Sequence, residues 1–192
     1  YYVFRMGVVV KKPMNSDNPK IIDYANSNLR SDFMDVYLGA KCSFCIVTDS
    51  GFQELPIIFR RSLALLCVPL GNLRSCNEKF LHLTKHHVLI KEKRKLSLSE
   101  IFSHGVAYAY ETKIFKQKGI ELIENTPEEI KDLAIEMDES LQSNKKLNPE
   151  DEELQKNFQS LYASNIKNYE CKNINLMHGQ IRCRYGTKFL RE

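Results

Sequence analysis

Apolar positions along the chain fall into short continuous runs separated by stretches at helical spacing. Cys42 to Thr48 is one such run, and its length predicts a strand buried on both faces. Leu63 to Val68 is a second, closed by Pro69-Leu70-Gly71-Asn72. Between them, Ser50-Gly51 reads as a turn, and Phe52 to Phe59 as a helix that tolerates Pro56 near its start. Ahead of them, Ser31 is placed to cap a helix, with Asp32 and Asp35 in the first turn, where the helix dipole favours acidic groups. Phe33, Val36, Tyr37 and Ala40 fall on one face of that helix and are its expected buried stripe. Helix, strand, turn, helix, strand is the order that produces a parallel sheet with crossovers.

The flanking stretches are read the same way. Tyr1 to Met6 is aromatic and β-branched and stops at Gly7, which predicts a strand and turn. Val8 to Lys20 is read as loop, and Ile21 to Tyr24 as a short strand or helical turn. His86 to Ile90 and Ile120 to Ile123 are expected strands, and Val106 to Lys118 an expected helix stopped by Gly119. Ser97 with Glu100, and Thr126 with Glu129, have the spacing of capping boxes. The second opens a helix with Ile130, Leu133, Ala134, Met137 and Leu141 as its apolar stripe. A further helix begins at Asn148-Pro149 with Leu154, Phe158, Leu161 and Tyr162 on one side. The stretch after Asn173 keeps Ile174, Leu176, Ile181, Tyr185 and Phe189, more apolar residues than an exposed tail needs.

Bulk composition adds little to this picture. The 192 residues are 43% hydrophobic and 27% charged, as in soluble globular proteins, and are enough to bury a core without disulfides. A net charge of +4 fits an anionic small ligand as well as a nucleic acid. The basic run Lys91 to Lys95 lacks interleaved aromatics, which argues against nucleic acid. No apolar run approaches a membrane span. The chain opens within an apolar stretch and without a Met, so an N-terminal part of a longer protein is expected to be missing.

Six cysteines invite a metal or redox reading, but the spacing does not sustain it. Cys42 and Cys45 form one C-x-x-C pair, while Cys171 and Cys183 are too far apart to form a second. A redox pair would open a helix, whereas this one enters a strand. The cysteines are therefore read as reduced core residues, and no metal is expected. His86 and His87 are adjacent, so in a strand they face opposite sides and cannot share a ligand.

Thr48-Asp49-Ser50-Gly51 differs in kind, because it joins a buried parallel strand to a helix. Ligands of open α/β sheets bind outside the carboxyl ends of the strands. The N–H groups of a helix start suit phosphate, Gly51 admits close approach, and Thr48 and Ser50 add hydroxyls. Equally, such a turn can be no more than a capped helix start. Arg5 and Gly7 end another expected strand and could share the same rim, with Arg5 as an anion clamp.

Several stretches together are familiar: "YYVFRMG", "IIDYANSNLRSDFMDVYLGAKCSFCIVTDSG", "VPLGN", "GIELIENTPEEIKD" and the closing "RYGTKFLRE". They resemble a family of bacterial glycosyltransferases of surface-carbohydrate synthesis, and more distantly the heptosyltransferase-like and fucosyltransferase-like enzymes. The resemblance implies an α/β fold, a Rossmann-like parallel sheet flanked by helices, forming the C-terminal half of a GT-B type architecture. Residues 1–145 would be the nucleotide-sugar-binding domain. Residues 146–192 would be a C-terminal helix and tail packing back on it or on the missing N-terminal domain. It further implies transfer of a sugar from a nucleotide-diphosphate sugar to a surface glycan acceptor, without cofactor or bound metal. The donor would contact Arg5, Gly7, Thr48, Asp49, Ser50, Gly51 and, with less support, Glu54. The catalytic base would come from the N-terminal domain, so no catalytic residue is assigned. The implied location is cytoplasmic, with peripheral attachment to the inner membrane face left open. Arg60 and Ser62 stand where the family pattern has a Gly and a Pro. That departure, expected near the site, together with the missing N-terminal part, motivates the alternative of a degenerate, non-catalytic nucleotide-binding or interaction module.

Overall fold

Leu63, Ala64 and Leu65 are almost fully buried, and the fold is built around the strand that carries them. The computed structural model describes residues 1–48, 50–67, 70, 77–142, 148–166 and 182–191. Asp49, Pro69, Gly71, Asn72, Ile174, Leu176 and Ile181, all singled out above, lie outside the described residues. The chain is mixed α/β, with a four-stranded parallel sheet flanked by helices. That sheet contains β3 (Phe44–Thr48), β4 (Ser62–Cys67), β5 (Phe80–Thr84) and β9 (Arg184–Tyr185), in the order β3-β4-β5-β9. Its register runs Thr48 to Leu66 and Cys67 to Thr84, so the strands end at nearly one level. Central β4 is apolar on both faces because both are covered, as parallel sheets require.

The helix α5 (Pro127–Leu141) returns antiparallel to these strands. Its start lies at the carboxyl end of β5, where the Asn125 side-chain amide donates to the Thr84 carbonyl at 3.1 Å. Its far end reaches the opposite rim, where Asp138 accepts from the Tyr1 hydroxyl at 2.7 Å, and Tyr1 stands edge-on to Phe44 with centroids 6.0 Å apart. Thr126 and Glu129 close the expected capping box, and Leu133 and Met137 are buried. The C-terminal segment completes the sheet edge. α6 (Pro149–Ile166) buries Gln155, Phe158 and Tyr162, with the Phe158 and Tyr185 ring centroids 5.1 Å apart. The short α7 (Thr187–Leu190) is held to α5, where the Glu136 carboxylate accepts from the Thr187 N–H at 2.8 Å and from its hydroxyl at 2.5 Å.

Several elements differ from the sequence reading. The helix α1 (Asp32–Lys41) forms, and Ser31 accepts from the Met34 N–H as expected, but its stripe is turned around. Phe33 (74% exposed), Val36 and Tyr37 face outward, and Phe33 and Tyr37 stack on each other. The inward side holds Met34, Leu38 and Gly39, because Gly39 lets α1 approach Leu55 of α2 (Glu54–Ile58) closely. In β3 only Val47 is buried, and Ile46 is 42% exposed, so that strand is not covered on both faces. The N-terminal strand shrinks to β1 (Val3–Phe4), paired in parallel with β2 (Ile21–Ile22) as a separate two-stranded sheet. The helix expected from Val106 begins only at Thr112, as α4 (Thr112–Gln117). Val106, Ala107 and Ala109 are buried in the irregular stretch before it.

The expected strand Ile120 to Ile123, β8, does not join the parallel sheet. With β6 (His86–Leu89) and β7 (Arg94–Lys95) it forms a second, antiparallel sheet in the order β7-β6-β8. β6 begins two residues after β5 ends, so this small sheet grows directly from the carboxyl rim of the large one. Between β7 and α4, α3 (Leu98–Ser103) is closed by the expected capping box of Ser97 and Glu100. Among the described residues no helix is long and apolar enough to cross a membrane.

Candidate functional site

The turn singled out from the sequence lies at the carboxyl end of β3. Thr48 is the last residue of that strand and is exposed. Ser50 follows in an extended conformation, exposed, and its carbonyl accepts from the Gln53 N–H at 3.1 Å. Gly51 opens a 3₁₀ turn, Gly51–Gln53, that leads into α2. A Cβ built on Gly51 meets nothing within 4 Å, so the backbone there faces open space. Neither packing nor a left-handed φ demands a glycine at this position. The expected helix is shorter than its sequence suggests. α2 has five residues, so its dipole is small, and the Gln53 and Glu54 N–H groups are taken up within the turn by Ser50, Gly51 and Phe52 carbonyls. Glu54, the first residue of α2, is exposed beside the buried Gln53.

Arg5 and Gly7 occupy a different setting. The Arg5 Nη1 donates to the Lys12 carbonyl at 2.8 Å and to the Asp23 carboxylate at 3.3 Å. Asp23 is held below the usual carboxylate range by the Asn26 side-chain amide, the Met14 N–H and the Arg5 charge. Arg5 thus braces the loop between β1 and β2. Gly7 has a φ of +146° and packs on Val10, a conformation that other residues rarely adopt. The structure brings Thr48, Ser50, Gly51 and Glu54 together on one turn, and gives Arg5 and Gly7 local partners in the N-terminal loop.

Arg60 corrects the sequence reading most plainly. It lies past the end of α2 and just before Ser62, which pairs with Phe44 at the start of β3. Thr48 pairs with Leu66 four residues further on, roughly 13 Å along the strands. Arg60 and Ser62 are therefore at the opposite rim from the turn, and no charge is introduced there. Arg60 has a φ of +57°, the left-handed conformation a glycine would supply after a helix.

The same carboxyl rim carries a second group of residues that sequence reasoning passed over. The His86 Nε2 lies 2.8 and 2.9 Å from the two oxygens of Glu129. A carboxylate only accepts, so Nε2 carries the proton and Nδ1 is turned away. Two residues earlier, the buried Thr84 Oγ1 has no hydrogen-bond partner among the described residues. Lys85 pairs with Glu124, and the Lys95 ammonium is 3.9 Å from Glu129. His87 points the other way, as alternation requires, into the core against Phe115 at 5.7 Å between centroids. The signal that could have found this group is the α5 capping box. A helix that starts beside the end of a parallel strand shares its rim with the Ser50 turn.

The cysteine pair has no reactive character. The Cys45 thiol is pushed up to about 12, first by burial and then by its neighbour Cys42. Cys42 donates to the Gly39 carbonyl at 3.3 Å. Among the described residues no three of the His, Cys, Asp and Glu side chains gather where they could hold a metal ion.

Compared with protein-family models, with curated proteins and with solved structures, the chain finds no match in any of the three.

Proposed function

We propose that this chain is the donor-binding part of a glycosyltransferase, moving a sugar from a nucleotide-diphosphate sugar to a surface glycan acceptor. The observation that carries the reading is the Thr48–Ser50–Gly51 turn. It ends a parallel strand, exposes two hydroxyls and leaves the space above Gly51 empty. The sequence resemblance supplies the reaction class. An acceptor oxygen attacks the anomeric carbon while the bond from that carbon to the diphosphate breaks. Negative charge then grows on the departing phosphate oxygen, and backbone N–H groups and hydroxyls fixed at that point stabilise it. Thr48, Ser50 and Gly51 would hold the diphosphate, with Asp49 and Glu54 beside the sugar or ribose. Arg5 would contribute only through the part of its guanidinium not held by Asp23 and Lys12. The acceptor and the catalytic base would come from a second domain, and a nucleotide-sugar donor would place the reaction in the cytoplasm.

The alternative of a degenerate nucleotide-binding module rests in part on Arg60 and Ser62, which lie at the far rim from the turn. The test is thermal: UDP, GDP or CMP should raise the unfolding temperature of the folded chain in the presence of EDTA. The double substitution Ser50→Ala with Gly51→Val should abolish the rise. A folded protein indifferent to every nucleotide would overturn the reading.

A further inference from the structure

We infer that Val8 to Lys12, the loop after β1, docks on an anionic lipid surface, with Val8 and Val9 entering the headgroup region and Lys11 and Lys12 pairing with lipid phosphates. The inference stands apart from the donor-binding reading and does not rest on it. Exposure comes first. Val9 is 91% exposed and Val8 69%, and no other large apolar side chain among the described residues is as exposed as Val9. Single exposed apolar residues are ordinary on any surface. Here two adjacent ones stand just ahead of two exposed lysines, so the loop presents an apolar tip with a basic collar.

The fold holds this tip outward. Val10 turns in, its Cγ1 only 3.2 Å from where a Cβ on Gly7 would stand. The Arg5 Nη1 donates to the Lys12 carbonyl at 2.8 Å, which closes the loop at its base. The Asp23 carboxylate accepts from the same guanidinium at 3.3 Å and from the Met14 N–H at 2.8 Å, so both ends of the loop are tied to one acid. Val8 and Val9 therefore sit at the far side of a closed loop whose backbone is fixed before any partner arrives, and little ordering cost remains for docking.

Charge and size decide the occupant. The connection from β1 to β2 carries Lys11, Lys12 and Lys20, all exposed, against Asp17. Asp23 is paired with Arg5. The tip is thus apolar and its surroundings are basic, which matches a bilayer surface rich in anionic headgroups. Two valine side chains fall far short of the roughly 1,000 Å² that a stable protein interface buries. A bilayer needs no matching shape, since it admits the valines by depth while the lysines stay among the phosphates. Binding of this kind is weak, reversible and sensitive to salt.

The experiment is co-sedimentation of the chain with vesicles of phosphatidylcholine alone, and of phosphatidylcholine and phosphatidylglycerol in equal parts. The chain should bind the anionic vesicles and not the neutral ones, and about 500 mM NaCl should release it. Lys11→Gln with Lys12→Gln should weaken binding about 30-fold, and Val8→Ser with Val9→Ser about ten-fold without changing any charge. The chain has no tryptophan, so Val9→Trp supplies a single reporter. Its emission should shift to the blue on anionic vesicles and be quenched by brominated acyl chains. The emission of Tyr110→Trp, at another exposed position, should do neither. Binding that survives both double substitutions, or an unshifted Val9→Trp, assigns the attraction to net charge elsewhere and overturns the inference. A chain that ignores anionic vesicles also overturns it, and if light scattering then shows self-association lost with the two valines, the tip is an interface between copies.

Discussion

Gln155 and Tyr185 clasp each other through the backbone. The Gln155 Nε2 donates to the Tyr185 carbonyl at 2.7 Å, and its Oε1 accepts from the Tyr185 N–H at 3.0 Å. A side-chain amide thus substitutes for the strand that the edge of the parallel sheet would otherwise need. The Tyr185 hydroxyl in turn accepts from the Thr84 N–H at 3.1 Å, which ties the C-terminal segment to the end of β5.

Gln155→Ala should therefore destabilise the fold by about 2–4 kcal/mol, because two buried backbone groups lose their partners. Gln155→Glu keeps the acceptor and loses the donor, and should cost less than alanine only at low pH, where the acid can donate. Urea denaturation gives the magnitude. Hydrogen exchange across residues 182–191 should show that segment opening first, and uniform protection there would contradict the clasp.

Two glycines separate packing from ligand access. A Cβ on Gly39 would lie 3.0 Å from the Leu55 Cβ, whereas one on Gly51 would touch nothing. Gly39→Val should lose about 3 kcal/mol through separation of α1 from α2. Gly51→Val should shift stability by no more than about 0.5 kcal/mol. Chemical denaturation of the pair decides this, and equal losses would mean that the space above Gly51 is not open.

The parts of the fold legible in the sequence are those specified locally. Ser31, Ser97 and Thr126 each cap the helix their neighbours announce, and the apolar run of β4 is long enough to require cover on both faces. What was not legible depends on distant partners. β9 has two residues and no pattern of its own, and exists because Gln155 and β5 receive it. The inward face of α1 follows from a glycine that admits Leu55, so the bulkier stripe at good helical spacing was misleading. The same division holds at the site. Thr48, Ser50 and Gly51 are close in sequence, so their turn is legible from it. His86 and Glu129 are 43 residues apart and meet only because β6 and β8 pair in register.

Arg60 provides a test of backbone strain. With φ at +57° and an exposed side chain, it occupies the position after α2 where a residue without a Cβ is favoured. Arg60→Gly should stabilise the chain by about 1 kcal/mol, which for a chain of this size raises the unfolding temperature by roughly 2–4 °C. Nucleotide affinity should not change, because the residue is at the rim away from Gly51. A thermal melt and a binding isotherm on the same variant check both halves.

His87 sets the acid limit of the fold. Its side chain is 1% exposed, its Nδ1 lies 2.9 Å from the Lys85 carbonyl, and no described residue pairs with its Nε2. Burial lowers its pKa to about 4 despite the hydrogen bond to Lys85. The unfolded chain takes up this proton near pH 6.5 and the native state only near pH 4. Stability is thus fully present above pH 6.5, falls as the pH drops through this window, and loses about 3 kcal/mol by its lower end. His87→Phe should keep the packing against Phe115 and flatten that part of the pH profile. Denaturation midpoints at half-unit steps from pH 7.5 to 4 measure it. A wild-type curve no steeper than the variant's would show that another group carries the acid sensitivity.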